Sequence, residues 1–153
     1  MSAPASHGLT LARVVVKGVF PFVALFALYT LFHGDLGAGG GFQAGTVLAA
    51  GVLLHLLVFG LGATTRALPE RLLEVLAALG VLIYGGTGLV ALAGGRPFLD
   101  YGVFAPHDPS HGQHWGILFV EVGVTFTVAA SFVAIVGAFV RRARPDDEGE
   151  ETA

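Results

Sequence analysis

Four long apolar stretches limit what this chain can fold into. They run over about residues 14–32, 42–62, 72–93 and 115–140. Each is about 20 residues or longer, which at ~1.5 Å of rise per residue covers the ~30 Å hydrocarbon core of a bilayer. In lipid every backbone N–H and C=O must be satisfied within the protein, so each stretch reads as a helix. Strand-like alternation is absent, which argues against a membrane barrel. The expected fold is all-α: a polytopic membrane protein with about four transmembrane helices in the lipid bilayer.

Composition supports this where a soluble alternative has to be weighed. Only 12% of the 153 residues are charged, 54% are hydrophobic, and the mean hydropathy is +0.77. A soluble helical domain needs a polar face on nearly every helix, and this chain lacks the charge to supply one. Its first apolar run is longer than the ~7–15 residues of a secretory signal core, so it is expected to stay as a span. Cysteine is absent, which excludes disulfides, thiolate metal sites, iron–sulfur ligation and a cysteine nucleophile.

The basic residues orient the four spans. Arg13 and Lys17 precede or begin the first; Arg66 and Arg71 lie between the second and third; Arg141, Arg142 and Arg144 follow the fourth. In a four-span arrangement all of these fall on one side, and Arg96 alone falls on the other. The positive-inside rule then places both termini of this multi-pass membrane protein in the cytoplasm. Three regions follow: a cytoplasmic N-terminal segment at 1–13, a transmembrane domain at 14–140, and an acidic cytoplasmic tail at 141–153. The connection from about residue 94 to 114 is long enough for a short re-entrant or interfacial piece, and Trp115 at its end reads as an interface anchor.

The most unusual local sequence is residues 33–45, from His33 through Gly39-Gly40-Gly41-Phe42 to Gly45. It is not a phosphate loop, because no Gly-Lys-Ser/Thr ending follows, and no strand precedes it as a dinucleotide fingerprint requires. Gly41, Gly45 and Ala49 are spaced four apart and form a small-residue stripe suited to tight helix packing. Gly39 and Gly40 extend that packing element into the turn. Gly80 and Gly88 suggest a similar face on the third span.

A few ionisable residues lie in or near the spans. Glu121 is about six residues past Trp115, roughly 9 Å into the fourth span. A carboxylate facing lipid near a helix centre costs roughly 2.5–3.5 kcal/mol, so Glu121 should face protein or water. It reads either as a proton or cation relay or as a group bonding a neighbouring helix, with Thr125 one turn away as a hydrogen-bond partner. His55 is read as mid-span in the second helix, where imidazole can bond across helices or pass a proton. Glu74 is either paired with Arg71 or Arg66 or sits at the mouth of an ion path. His33 and Asp35 stand at the outer membrane edge, as a cation entrance or with Asp35 capping the second helix. His107, His111 and His114 would share a helical face, but Pro109 interrupts them, and a solvated loop is the expected reading with no metal site. No cofactor motif or nucleophile–base pair points to an enzyme.

Taken as it stands, the segment His33-Gly34…Gly39-Gly40-Gly41-Phe42…Gly45 resembles the hallmark of the MnhB/MrpB family, small membrane subunits of multisubunit Na⁺/H⁺ antiporters. That family carries a His-Gly-His-x-x-Pro-Gly-Gly-Gly-Phe-x-Gly-Gly type segment after its first helix. Here Asp35 stands for the second His, Ala38 for Pro and Ala44 for Gly. Pro21, Tyr29 and the stretch Phe119-Val120-Glu121-Val122-Gly123-Val124 extend the resemblance over most of 14–140. It implies a subunit that packs among other subunits of a membrane complex, with Na⁺ and H⁺ as transported ions and no nucleic acid as partner. An alternative implied by related subunits is a structural role in an energy-converting hydrogenase or an inorganic-carbon uptake complex.

Overall fold

The computed structural model of the chain describes residues 4–34, 37 and 39–143. Asp35 and the acidic tail beyond Ala143 lie outside the described residues, as does Arg144. The described chain is helical throughout its spans: α1 (Pro4–Phe32), α2 (Gly41–Phe59), α3 (Leu61–Ala67), α4 (Glu70–Ala93) and α5 (Pro109–Arg142), with a short 3₁₀ turn at Tyr101–Phe104 before α5. Among the described residues four helices are long and apolar enough to cross a membrane: α1, α2, α4 and α5.

Helix α5 is the centre of the bundle. It packs on α4 along one side and α2 along another, while α1 packs mainly on α2. The close approaches are made by small residues. A Cβ on Gly45 of α2 would fall 2.9 Å from the Thr125 carbonyl oxygen of α5, and one on Gly123 of α5 would fall 2.7 Å from the Gly80 carbonyl oxygen of α4. Two threonines of α5 tie these crossings. The Thr125 hydroxyl donates to the Gly41 carbonyl (3.1 Å), and the Thr127 hydroxyl to the Ala77 carbonyl (3.2 Å). Without a hydrophobic driving force between helices in lipid, such packing and bonding are what hold spans together. A dry core of Ala49, Leu73, Ala130 and Val133 sits where α2, α4 and α5 meet.

Two boundaries differ from the apolar pattern, each for a local reason. The second apolar run reaches residue 62, but α2 stops at Phe59. Gly60 turns to φ 81°, its N–H closes onto the Leu56 carbonyl at 2.9 Å, and the chain restarts as α3. A positive φ of this kind favours glycine. Helix α5 starts at Pro109, six residues before Trp115. Asp108 caps it, accepting from the His111 N–H (3.3 Å) and the Ser110 hydroxyl (2.8 Å), and Pro109 fits the first turn because its missing N–H is not needed there. The Ser110 bond, then the His111 bond, hold the Asp108 carboxyl below its ordinary value. His111 and His114 are therefore helical, and His107 lies before the helix.

The connection between α4 and α5, where a re-entrant or interfacial piece is expected, holds the 3₁₀ turn at Tyr101–Phe104. It packs on the first turns of α5, where Phe104 lies 5.7 Å from Phe119 between ring centres.

A carboxylate in a glycine cradle

The glycine segment returns the chain from α1 to α2 across the flank of α5. Its backbone is fixed at both ends: the Gly40 N–H donates to the Thr30 carbonyl of α1 (3.0 Å), and the Gly40 carbonyl accepts from Ala44 in the first turn of α2 (3.0 Å). Gly40 adopts φ 119°, which effectively requires glycine.

Glu121 sits against this return. A Cβ on Gly34 would lie 2.6 Å from the Glu121 carboxyl carbon, and one on Gly40 would lie 3.2 Å from its Oε1. At Gly41 the two backbones meet: a Cβ there would fall 2.8 Å from the Glu121 Cα. The glycines thus form a wall of main chain around the carboxylate, and any side chain at Gly34 would take its place. The start of α2 lies beside it, and its N-cap residue, Gly40, has no side chain of its own to cap the helix end. The amides of such an end favour negative charge.

Several expectations change on this geometry. Thr125 does lie one turn from Glu121, but its hydroxyl donates to main chain, to the Glu121 carbonyl (2.8 Å) and the Gly41 carbonyl, rather than to the carboxylate. Glu121 also lies beside the start of α2. It is level with Gly41, the first residue of α2, and α2 is 19 residues long. That helix measures about 28 Å, close to the hydrocarbon thickness, so Glu121 stands beside the start of a span-length helix. Glu121 is half-buried there.

A small cavity of about 20 Å³ opens beside the carboxylate, lined by Leu31, Phe32, His114, Ile117, Leu118 and Glu121. Sequence reasoning does not pair His114 with Glu121. The available signal is their spacing of seven residues, two turns on one helical face. His33, half-buried at the end of α1, stacks on Tyr29 with ring centres 5.1 Å apart.

The remaining candidates lie at the opposite, basic end. His55 is not mid-span but in the last turn and a half of α2. Its ring stacks on Phe59 (4.4 Å), and its Nδ1 lies 3.1 Å from the Thr64 hydroxyl of α3. That hydroxyl also donates to the Gly60 carbonyl (3.1 Å), which ties His55 to the turn that ends α2. Thr64 also borders a cavity of about 120 Å³ whose rim carries Glu70, Glu74 and Arg141. Glu74 is exposed and, among the described residues, forms no ion pair with Arg66 or Arg71. The paired interfacial carboxylate is Glu70, with Arg141. His55 and Glu74 thus share a neighbourhood through Thr64. Glu121 does not join them, because the dry core of Ala49, Leu73, Ala130 and Val133 intervenes.

Residues 11–134 match the family described as "Domain related to MnhB subunit of Na+/H+ antiporter". The chain is also similar to a Na⁺/H⁺ antiporter subunit from Alkalihalophilus pseudofirmus. The two are 31% identical over 129 residues, covering 78% of this chain and 85% of that one. With most of its length matched and the glycine return placed against its membrane carboxylate, this chain belongs to the family of membrane proteins related to the MnhB subunit of Na⁺/H⁺ antiporters.

Proposed function

We propose that the chain is a small membrane subunit of a multisubunit Na⁺/H⁺ antiporter, and that Glu121 is its proton- or cation-exchanging group. The observation that carries this reading is the cradle. A carboxylate beside the start of α2 is walled by backbone at Gly34, Gly40 and Gly41 and bordered by a cavity, an arrangement that keeps side chains out of the site. Family membership supports a transporter subunit rather than an enzyme. His33 lies at the same end and, with Asp35 taken from the sequence, is read as a cation entrance.

The subunit holds two partial sites rather than one path. His55, Thr64 and Glu74 gather at the basic end, and the dry core separates them from Glu121. An ion crossing the membrane through this region needs polar groups from neighbouring subunits. The outward faces of α1 and α4, with large exposed apolar side chains such as Phe22 and Leu82, are where lipid or such subunits pack. Both termini are assigned to the cytoplasm of a prokaryotic cell, on the strength of Arg13, Lys17, Arg66, Arg71, Arg141 and Arg142 at one end against Arg96 at the other. Reporter fusions at each terminus test that orientation, and an external terminus would reverse it.

The central test is Glu121→Gln in the assembled complex, reconstituted in proteoliposomes. Na⁺-dependent proton exchange should fall sharply while the other subunits still co-purify. Unchanged exchange with normal assembly removes Glu121 from the mechanism.

A further inference from the structure

We propose that His114 is the proton-loading residue of the Glu121 site, an inference that rests on Glu121 being the exchanging group. Both side chains line the same small cavity, and they are the titratable groups among its lining residues; the others are Leu31, Phe32, Ile117 and Leu118. They stand seven residues apart on one face of α5, a rise of roughly 10 Å. The cavity they share, about 20 Å³, has room for about one water to bridge them.

The two groups differ in access as the ends of a short relay must. His114 is exposed at the glycine end of the bundle, while Glu121 is half-buried against glycine backbone. Imidazole is the side chain best suited to exchange protons with solvent near neutral pH. The cap at Asp108 and Pro109 extends α5 far enough for residue 114 to be held in register with residue 121. Trp115, whose ring centre is 6.1 Å from that of His114, borders the imidazole on the outer side.

The transfer balances simply. The imidazolium N–H of His114 gives its proton to water in the cavity, and that water gives a proton to a Glu121 carboxylate oxygen. Neutral His114 is then reprotonated from solvent at its exposed edge. Release runs the same steps in reverse.

The test uses the whole antiporter complex in proteoliposomes, with ²²Na⁺ uptake as the readout. His114→Ala should lower the exchange rate by about tenfold, less than the ~10²–10⁴-fold typical of a positioned acid–base group, because solvent partly replaces it. Imidazole at equal concentration on both sides should restore much of that loss, and a bulky buffer of similar pKa should not. Glu121→Gln should be impaired and unrescued by imidazole. If Glu121→Gln is impaired while His114→Ala exchanges normally, the loading role is wrong and the Glu121 reading survives. If Glu121→Gln exchanges normally, both fall. A loss in His114→Ala that imidazole leaves unchanged, or that tracks a loss of assembled complex, makes His114 a structural residue and overturns the proposal.

Discussion

Adding one methyl group at Gly41 tests the cradle directly. The Cβ of Gly41→Ala would fall 2.8 Å from the Glu121 Cα and 2.9 Å from its carbonyl carbon. Carbon atoms pack at about 3.5–4.0 Å, so α2 and α5 must part by about 1 Å. Backbone cannot step aside as the tip of a flexible side chain can. Overpacking of this kind costs about 1–3 kcal/mol. Parting the helices also stretches the 3.1 Å Thr125–Gly41 bond beyond useful length. Interhelical bonds in membranes contribute about 0.6 kcal/mol on average. Together these predict a loss of about 2–4 kcal/mol, roughly a 30- to 700-fold shift in the folding equilibrium. The control is Gly85→Ala on α4, where an added Cβ meets nothing within 4 Å. That change should be neutral or mildly stabilising, since alanine favours helix over glycine. Reversible titration of the purified chain with sodium dodecyl sulfate, read by the fluorescence of its single tryptophan, Trp115, measures both. A Gly41→Ala protein as stable as Gly85→Ala would refute the close backbone crossing, and with it the glycine wall around Glu121.

Two smaller effects follow from the same geometry. Thr125→Val keeps the shape of the side chain but loses the bond to α2, and should cost about 0.6 kcal/mol, at most about 1.7, in the same titration; a loss several times larger would mean that the hydroxyl does more than tie two helices. Asp108 has its carboxyl held below the ordinary value of 3.8 by the Ser110 and His111 bonds. Its folded-state value is depressed, so its capping contribution is full above about pH 4 and is lost as pH falls through the lower folded value. Trp115 fluorescence should therefore report loosening of the α5 start in acid, and Asp108→Ala should abolish that step; a step that persists in the variant assigns it elsewhere.

The spans are legible in the sequence because hydrocarbon thickness sets a length that few other constraints imitate. Four apolar runs of the right size become four helices, and the Gly41–Gly45–Ala49 spacing identifies the face of α2 that turns inward, where all three are buried. What the pattern does not show is where polar chemistry ends an apolar run. Gly60 breaks α2 inside a hydrophobic stretch, which moves His55 from mid-helix to a helix end. Asp108 and Pro109 begin α5 within a segment that reads as loop by composition, which brings His114 onto the face of Glu121. The cradle itself is half visible. The glycines mark close packing, but their partner lies some eighty residues away, and only the fold brings Glu121 beside Gly34 and Gly40. Among the described residues the interfacial carboxylate that pairs is Glu70, with Arg141 from far along the chain, a contact that local spacing does not reveal.

The shortness of α2 has a consequence for where this protein can work. At 19 residues it matches an average bilayer standing nearly upright, with no surplus length to take up by tilting. Its first residue is packed against Glu121, so the height of the carboxylate relative to the membrane surface is set by the lipid. A thicker bilayer would submerge the carboxylate or thin locally around α2, each at a fraction of a kcal/mol per ångström of mismatch. A thinner one would lift it toward the headgroups and water. On the proposed role of Glu121, exchange should therefore be tuned by acyl-chain length, with the carboxylate acting as a float whose waterline the membrane decides.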